Sequence, residues 1–144
     1  MIYLDSSVLF SVHSTDMNSC EAVRLLQAAS EPLAVTQLCE VEVVNALSLR
    51  IFRGEITVKQ AQDSMSDLER NLHNGVFELR PLPENTFTRA KTLAQILTPV
   101  IGVRSADLLH VAAALELGFK SLYSFDRKQR LAAQYAGLIT NPLH

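Results

Sequence analysis

The chain has 144 residues, of which 48% are hydrophobic and 19% charged, with a formal net charge of -2, a pI near 6.1 and a mean hydropathy of +0.14. That length is enough to bury one core of ordinary domain size. The charge excludes a globally basic nucleic-acid binder and leaves only a local basic patch for such a task, while no apolar run reaches the length of a bilayer.

In chain order, Ile2–Leu4 is an apolar, β-prone run that stops on Asp5, and a short helix is expected over Ser6–Val12. Ala22, Leu25, Leu26 and Ala29 recur at helical spacing within 18–29. Pro32 breaks the chain before a second strand at Leu33–Val35. Thr36 can cap a helix to about Arg53, closed by Gly54. Thr57 with Gln60 forms a capping box for the next helix, which Gly75 ends. Val76–Leu79 reads as a third strand, followed by a helix from Asn85 or Thr86 to about Leu97 and a loop marked by Pro99 and Gly102. Ser105 caps a helix to Leu117. A strand at Leu122–Phe125 then stops on Asp126, which caps a last helix, and Leu138–Thr140 adds a terminal strand. Strands alternate with helices throughout, so the expected fold is α/β. It is one domain over 1–144, a three-layer arrangement with a mostly parallel sheet of four to five strands flanked by helices and right-handed crossovers.

Two chemical expectations follow from composition. Cys20 and Cys39 match no zinc spacing and are expected to be buried free thiols. The first strand begins at Met1, which leaves no room for a signal peptide, so the reducing cytoplasm is the expected compartment.

Four carboxylates stand out. Asp5 and Asp126 each follow a strand, and an open α/β sheet presents its ligands at the carboxyl ends of its strands. Each also serves as an ordinary turn or cap residue. On a helical wheel Glu42 falls among Leu38, Val41, Asn45, Leu49 and Phe52, an apolar stripe whose polar members are Glu42 and Asn45. An inward glutamate is costly unless paired or bound to a cation, and Asn45 is assigned beside it as a supporting residue. Asp107 opens the nearly all-apolar helix Leu108–Leu117, so it is expected to face a crevice rather than bulk water, with His110 packed or hydrogen-bonded one turn on. Asp5, Glu42, Asp107 and Asp126 are all hard oxygen donors, which favours Mg²⁺ or Mn²⁺ over zinc. Such a centre activates water for phosphodiester hydrolysis. No Ser-His-Asp or Cys-His arrangement is legible.

The stretches LDSSVLF at Leu4–Phe10, EVVNAL at Glu42–Leu47, SADLLHVAAALELG at Ser105–Gly118 and YSFDRKQRLAAQYAGL at Tyr123–Leu138 together resemble the PIN domain, and more closely its VapC-type toxins. The resemblance implies that Asp5, Glu42, Asp107 and Asp126 form the acidic metal-binding set, with Ser6 and Ser124 as small hydroxyls beside the first and last acids. It further implies a Mg²⁺- or Mn²⁺-dependent endoribonuclease acting on structured RNA such as tRNA or rRNA, homodimerisation, and neutralisation by a small antitoxin. Many relatives carry a further acid or amide shortly after the last aspartate, where this chain has Arg127, Lys128, Gln129 and Arg130. One metal or two both stay open.

On that reading Arg104, Arg127 and Lys128 flank the crevice and contact RNA phosphates. The apolar surfaces of 39–52 and 58–72 are candidate dimer or antitoxin interfaces. A receiver domain needs paired acids after its first strand, and a haloacid-dehalogenase phosphatase needs an aspartate where Ser7 stands. The glycine fingerprint of a dinucleotide-binding domain is missing. The non-enzyme alternative is a catalytically silent PIN-like module that only binds RNA or protein.

Overall fold

The computed structural model describes residues 1–142; the last two residues of the expected domain lie outside it. Strand β1 (Ile2–Leu4) leads into α1 (Ser6–His13) and α2 (Ser19–Ala28), then β2 (Leu33–Thr36), α3 (Gln37–Phe52) and α4 (Val58–His73). The chain continues through β3 (Glu78–Arg80), α5 (Thr86–Ile101), α6 (Ser105–Glu116), β4 (Ser121–Tyr123), α7 (Arg127–Tyr135) and β5 (Ile139–Thr140). All strand pairs are parallel, in the order β3-β2-β1-β4-β5. The expected α/β architecture is present, with five strands.

β1 lies at the centre, and all three of its side chains are buried. A strand covered on both faces reads as a continuous apolar run rather than an alternation. Helices α1–α4 pack among themselves, as do α5–α7, and right-handed crossovers assign the two groups to opposite faces of the sheet. From β1 the chain winds outward through β2 to β3, then returns to add β4 on the other side. The reversal makes the gap between the carboxyl ends of β1 and β4 the topological switch point, where open sheets bind their ligands. Asp5 and Asp126 stand at those ends.

Several boundaries depart from the sequence expectation. β3 sits on an edge and falls on Glu78–Arg80 rather than Val76–Leu79; its exposed residues carry no burial pattern to fix it. α5 runs through Pro99 to Ile101, where Gly102 closes it at φ 71°. Pro99 and Gln95, four residues before it, are both exposed, so a carbonyl displaced by the proline ring meets water. Arg104, not Ser105, is the residue that precedes α6 as its cap. Cys39 is buried as expected, but Cys20 is exposed; both are free. Among the described residues no helix is long and apolar enough to cross a membrane.

Candidate metal centre

Asp5 does two jobs. Its Oδ1 accepts the Val8 N–H at 3.1 Å, capping α1, and the Ser7 hydroxyl at 2.6 Å. Its Oδ2 accepts the Ser124 hydroxyl at 2.7 Å. The Ser124 oxygen in turn accepts the Asp126 N–H at 2.9 Å, and the Ser7 oxygen accepts the Phe125 N–H at 2.9 Å. Two hydroxyls thus stitch the end of β1 to the turn after β4. Ser124, expected beside the last acid, gives its hydroxyl to the first, Asp5, and takes from Asp126 only the backbone N–H. For the other hydroxyl the structure makes a correction: Ser7 binds Asp5, while the half-buried Ser6 is the first residue of α1. An N-capping aspartate reaches forward along the first turn, which brings the second residue after it within range.

Asp126 caps α7 through the Gln129 N–H at 2.8 Å. Asp107, in the first turn of α6, is buried. Arg104 lies across these two acids, 3.3 Å from Asp107 Oδ2 and 3.7 Å from Asp126 Oδ2, although its own side chain is 77% exposed. Gln129, at 1% exposure, lies between Asp107 and Asp5. With its amide nitrogen toward the acids it donates to Asp5 Oδ2 at 3.2 Å and to Asp107 Oδ1 at 3.1 Å. Three aspartates from β1, α6 and the end of β4 therefore share one crevice, bridged pairwise by a guanidinium and an amide.

Glu42 is engaged differently. The wheel expectation turns it inward with Leu38, Val41, Asn45, Leu49 and Phe52. The structure turns most of that stripe outward: Val41, Asn45, Leu49 and Phe52 are exposed, and α3 buries Cys39, Val43 and Leu47 instead. The helix is apolar around much of its circumference, so spacing alone cannot choose the buried face. Packing decides it, because the Cys39 thiol fits against Tyr3 and the Leu4 carbonyl at 3.5 and 3.3 Å. Glu42 ends half-buried at the boundary, in a short hydrogen bond with His110 Nε2. Asn45 is exposed on α3 and takes no place beside the acids in this arrangement.

His110 is buried on α6, as the sequence reading expects, and its Nδ1 lies 2.8 Å from the Tyr3 hydroxyl, which reaches Thr36 at 3.0 Å. Burial works against its charged form, but hydrogen bonds with Cys39 and Glu42 and the nearby Asp5 carboxylate outweigh burial and push its pKa up to about 10. The imidazolium donates from both nitrogens, so Glu42 is paired at neutral pH.

Burial raises the Asp5 carboxyl above its ordinary range, against the lowering effects of His110, Ser7 and Ser124. Burial, and next the charge of Asp126, raise Asp107, which Arg104 partly offsets. These acids are crowded and short of positive charge. Among the described residues no group of three acid, histidine or cysteine side chains is arranged as the ligands of one ion; Arg104 and Gln129 lie between the acids. The donor set nonetheless fits a small hard divalent cation: aspartate oxygens with elevated proton affinity, and a buried amide whose oxygen could join them. The cleft of about 600 Å³ between α1, α2, α3 and α4 lies elsewhere, lined by Ser11, His13, Arg50 and Asp63 among others, and none of the four acids borders it.

Of the basic residues expected at the crevice, Arg104 is there. Arg127 and Lys128 are exposed on the first turn of α7, with the Lys128 ammonium 3.4 Å from the Gly102 carbonyl.

The family model for the PIN domain matches residues 2–135. No curated protein matches the chain. Among solved structures, the chain is similar to VapC20 of Mycobacterium tuberculosis, a sarcin–ricin loop cleaving toxin, with a TM-score of 0.69 at 13% identity over 96% of this chain and 97% of that one. FitAcB from Neisseria gonorrhoeae matches with a TM-score of 0.68 at 17% identity, covering 99% of this chain and 97% of that one. VapBC2 from Rickettsia felis, bound to a promoter DNA fragment, matches at 0.67 and 18% identity over 98% of each chain. At such identities these likenesses speak for the fold.

Proposed function

This chain belongs to the PIN-domain family, and from that membership we propose that it is a Mg²⁺- or Mn²⁺-dependent endoribonuclease, the toxin of a toxin–antitoxin pair. The observation that carries the proposal is that Arg104 bridges Asp107 and Asp126 while Gln129 lies between Asp107 and Asp5, beside the switch point between β1 and β4. Its likeness to VapC20, a toxin that cleaves the sarcin–ricin loop, points to structured RNA as the substrate class.

In this reading Asp5, Asp107 and Asp126 would hold the cation, and Glu42 would join them from its pair with His110, directly or through water. A bound divalent ion supplies a water acidic enough to ionise near neutral pH and offsets charge on the phosphoryl oxygens. The chain supplies the rest. Ser7 and Ser124 each fix one oxygen of Asp5, so that the carboxylate keeps one orientation as charge changes around it. The imidazolium of His110 fixes Glu42 against the Tyr3–Thr36 chain. Arg104, which lies across Asp107 and Asp126, would offer a planar fork to a phosphate beside these acids. Arg127 and Lys128 extend that positive edge.

The likeness to a toxin–antitoxin complex from Klebsiella pneumoniae supports a partner assignment as well. The exposed apolar face of α3, with Val41, Val44, Leu49 and Phe52, is the surface proposed for a small antitoxin or for a second copy of the chain. On α4, Ala61 and Leu68 are buried and Met65 and Leu72 pack against the core, which leaves Val58 as its exposed large apolar residue.

The test is cleavage of a structured RNA by purified protein in Mg²⁺ or Mn²⁺. Asp107→Asn is expected to lower the rate by about 10²–10³-fold, the order lost when a key electrostatic group is removed. Full activity in that variant would end the assignment. Metal-independent RNA binding without cleavage would favour the silent module.

A further inference from the structure

Gln129 is a buried polar side chain among these acids and lies outside the family's acidic set. It lies on the buried stripe of α7 with Ala132 and Ala133, at 1% exposure, where a helix packed on a sheet ordinarily places an apolar residue. A buried amide costs free energy unless it is hydrogen-bonded. Its position is fixed from behind, because its own N–H is held at 2.8 Å by Asp126. The partners in front of it are Asp5 and Asp107.

The two faces of the amide are chemically opposite. With the nitrogen inward, two N–H groups bridge Asp5 Oδ2 and Asp107 Oδ1 at 3.2 and 3.1 Å. With the oxygen inward, three acceptors face one another, an arrangement that only a cation makes favourable. Either orientation fills the same volume, since the amide rotates about its last bond.

We propose that Gln129 is a positioning residue for the metal centre: its amide nitrogen holds Asp5 and Asp107 together before metal arrives, and its oxygen turns toward the cation afterwards. This rests on the metal-dependent reading of the site and adds to it a neutral oxygen beside the acids. It also accounts for how two crowded carboxylates keep their places in the metal-free protein. The amide lends them two donors without adding a charge that would compete with the ion for good.

Two variants and one spectrum test this on the whole chain. Gln129→Met keeps length and packing but removes both faces of the amide. It is expected to weaken Mn²⁺ binding in calorimetry by about 10-fold or more, as loss of a group orienting metal ligands does, and to lower the melting temperature in chelator. Gln129→Glu keeps an inward oxygen and adds a charge. It is expected to bind Mn²⁺ more tightly than wild type and to melt lower than wild type in chelator. A merely structural glutamine would change melting in both variants and leave the Mn²⁺ affinity alone, which would overturn the proposal. Side-chain amide resonances of wild-type Gln129 give a reading that needs no variant to fold. Mg²⁺ is expected to shift them and speed their hydrogen exchange, and resonances that stay fixed while the α6 amides respond would overturn the proposal too. A wild-type protein that takes up no Mn²⁺ would sink the metal reading itself. Uptake by wild type and by Gln129→Met with equal affinity would sink the role of Gln129 alone.

Discussion

Glu42→Gln isolates the charge in the pair with His110. Glutamine keeps an acceptor oxygen at the same reach, so the hydrogen bond to His110 Nε2 survives and the ion pair does not. A charge-assisted bond contributes roughly 1.5–3 kcal/mol and a neutral one roughly 0.5–1.5, so the variant should lose about 1–2 kcal/mol. The loss stays below the roughly 3–5 kcal/mol of breaking a fully buried pair, because the Glu42 side chain retains 31% exposure. The pH dependence has a definite sign. The folded-state pKa of His110 is pushed up to about 10, against about 6.5 in the unfolded chain. Stability from its charged form is therefore complete below about pH 6.5 and is lost as pH climbs through about 10. Urea unfolding in chelator, at pH 6.5, 8.5 and 10.5, should show the gap between wild type and variant closing from about 1–2 kcal/mol to near zero. A gap that is constant across that range would refute a charged His110 and, with it, the pairing assigned to Glu42.

Other expectations follow from the same geometry. Arg104→Ala frees Asp107 and Asp126, so Mn²⁺ affinity should rise several-fold by calorimetry while RNA affinity falls by anisotropy; weaker metal binding would mean that the guanidinium organises the acids rather than competing for them. Asp107 has its carboxyl raised by burial and by Asp126, so its charge weighs against the fold at neutral pH and that cost disappears as pH falls through its folded-state value toward about 4. Metal-free Asp107→Asn should therefore melt at or above wild type at pH 7.5, and the advantage should shrink at pH 4.5 in thermal scans. Ser124→Ala and Ser7→Ala each remove a hydroxyl from Asp5 and a backbone acceptor, and each should cost about 1–2 kcal/mol in denaturant titration. Ser6→Ala should cost less than about 0.5 kcal/mol, as ordinary substitutions away from such contacts do.

The alternation of strands and helices was legible because strong stop signals punctuate the chain: aspartates after β1 and β4, glycines after the helices, Pro32 before β2. Asp5, Asp107 and Asp126 were legible for the same reason, since each sits at the end of an element whose type is plain from its residues. The buried face of α3 was not. Its apolar residues circle the helix, and contacts with Tyr3 and Leu4, distant in sequence, choose among them. The pairing of Glu42 with His110 spans 68 residues and leaves no local trace. Gln129 did leave one. It shares a face with Ala132, Ala133 and Ala136, at the spacing of a core stripe, but the basic residues around it make it read as part of a charged surface. The choice between Ser6 and Ser7 turned on the reach of one capping turn, which composition does not encode.

Anomalous scattering from crystals grown with Mn²⁺ locates the ion without reference to activity. The expected result is a peak about 2.0–2.2 Å from oxygens of Asp5 and Asp107, within reach of Asp126 directly or through water, and with Arg104 displaced from the crevice. A peak on another surface, or Arg104 still lying across Asp107 and Asp126 at saturating Mn²⁺, would contradict a cation held at the junction of β1 and β4.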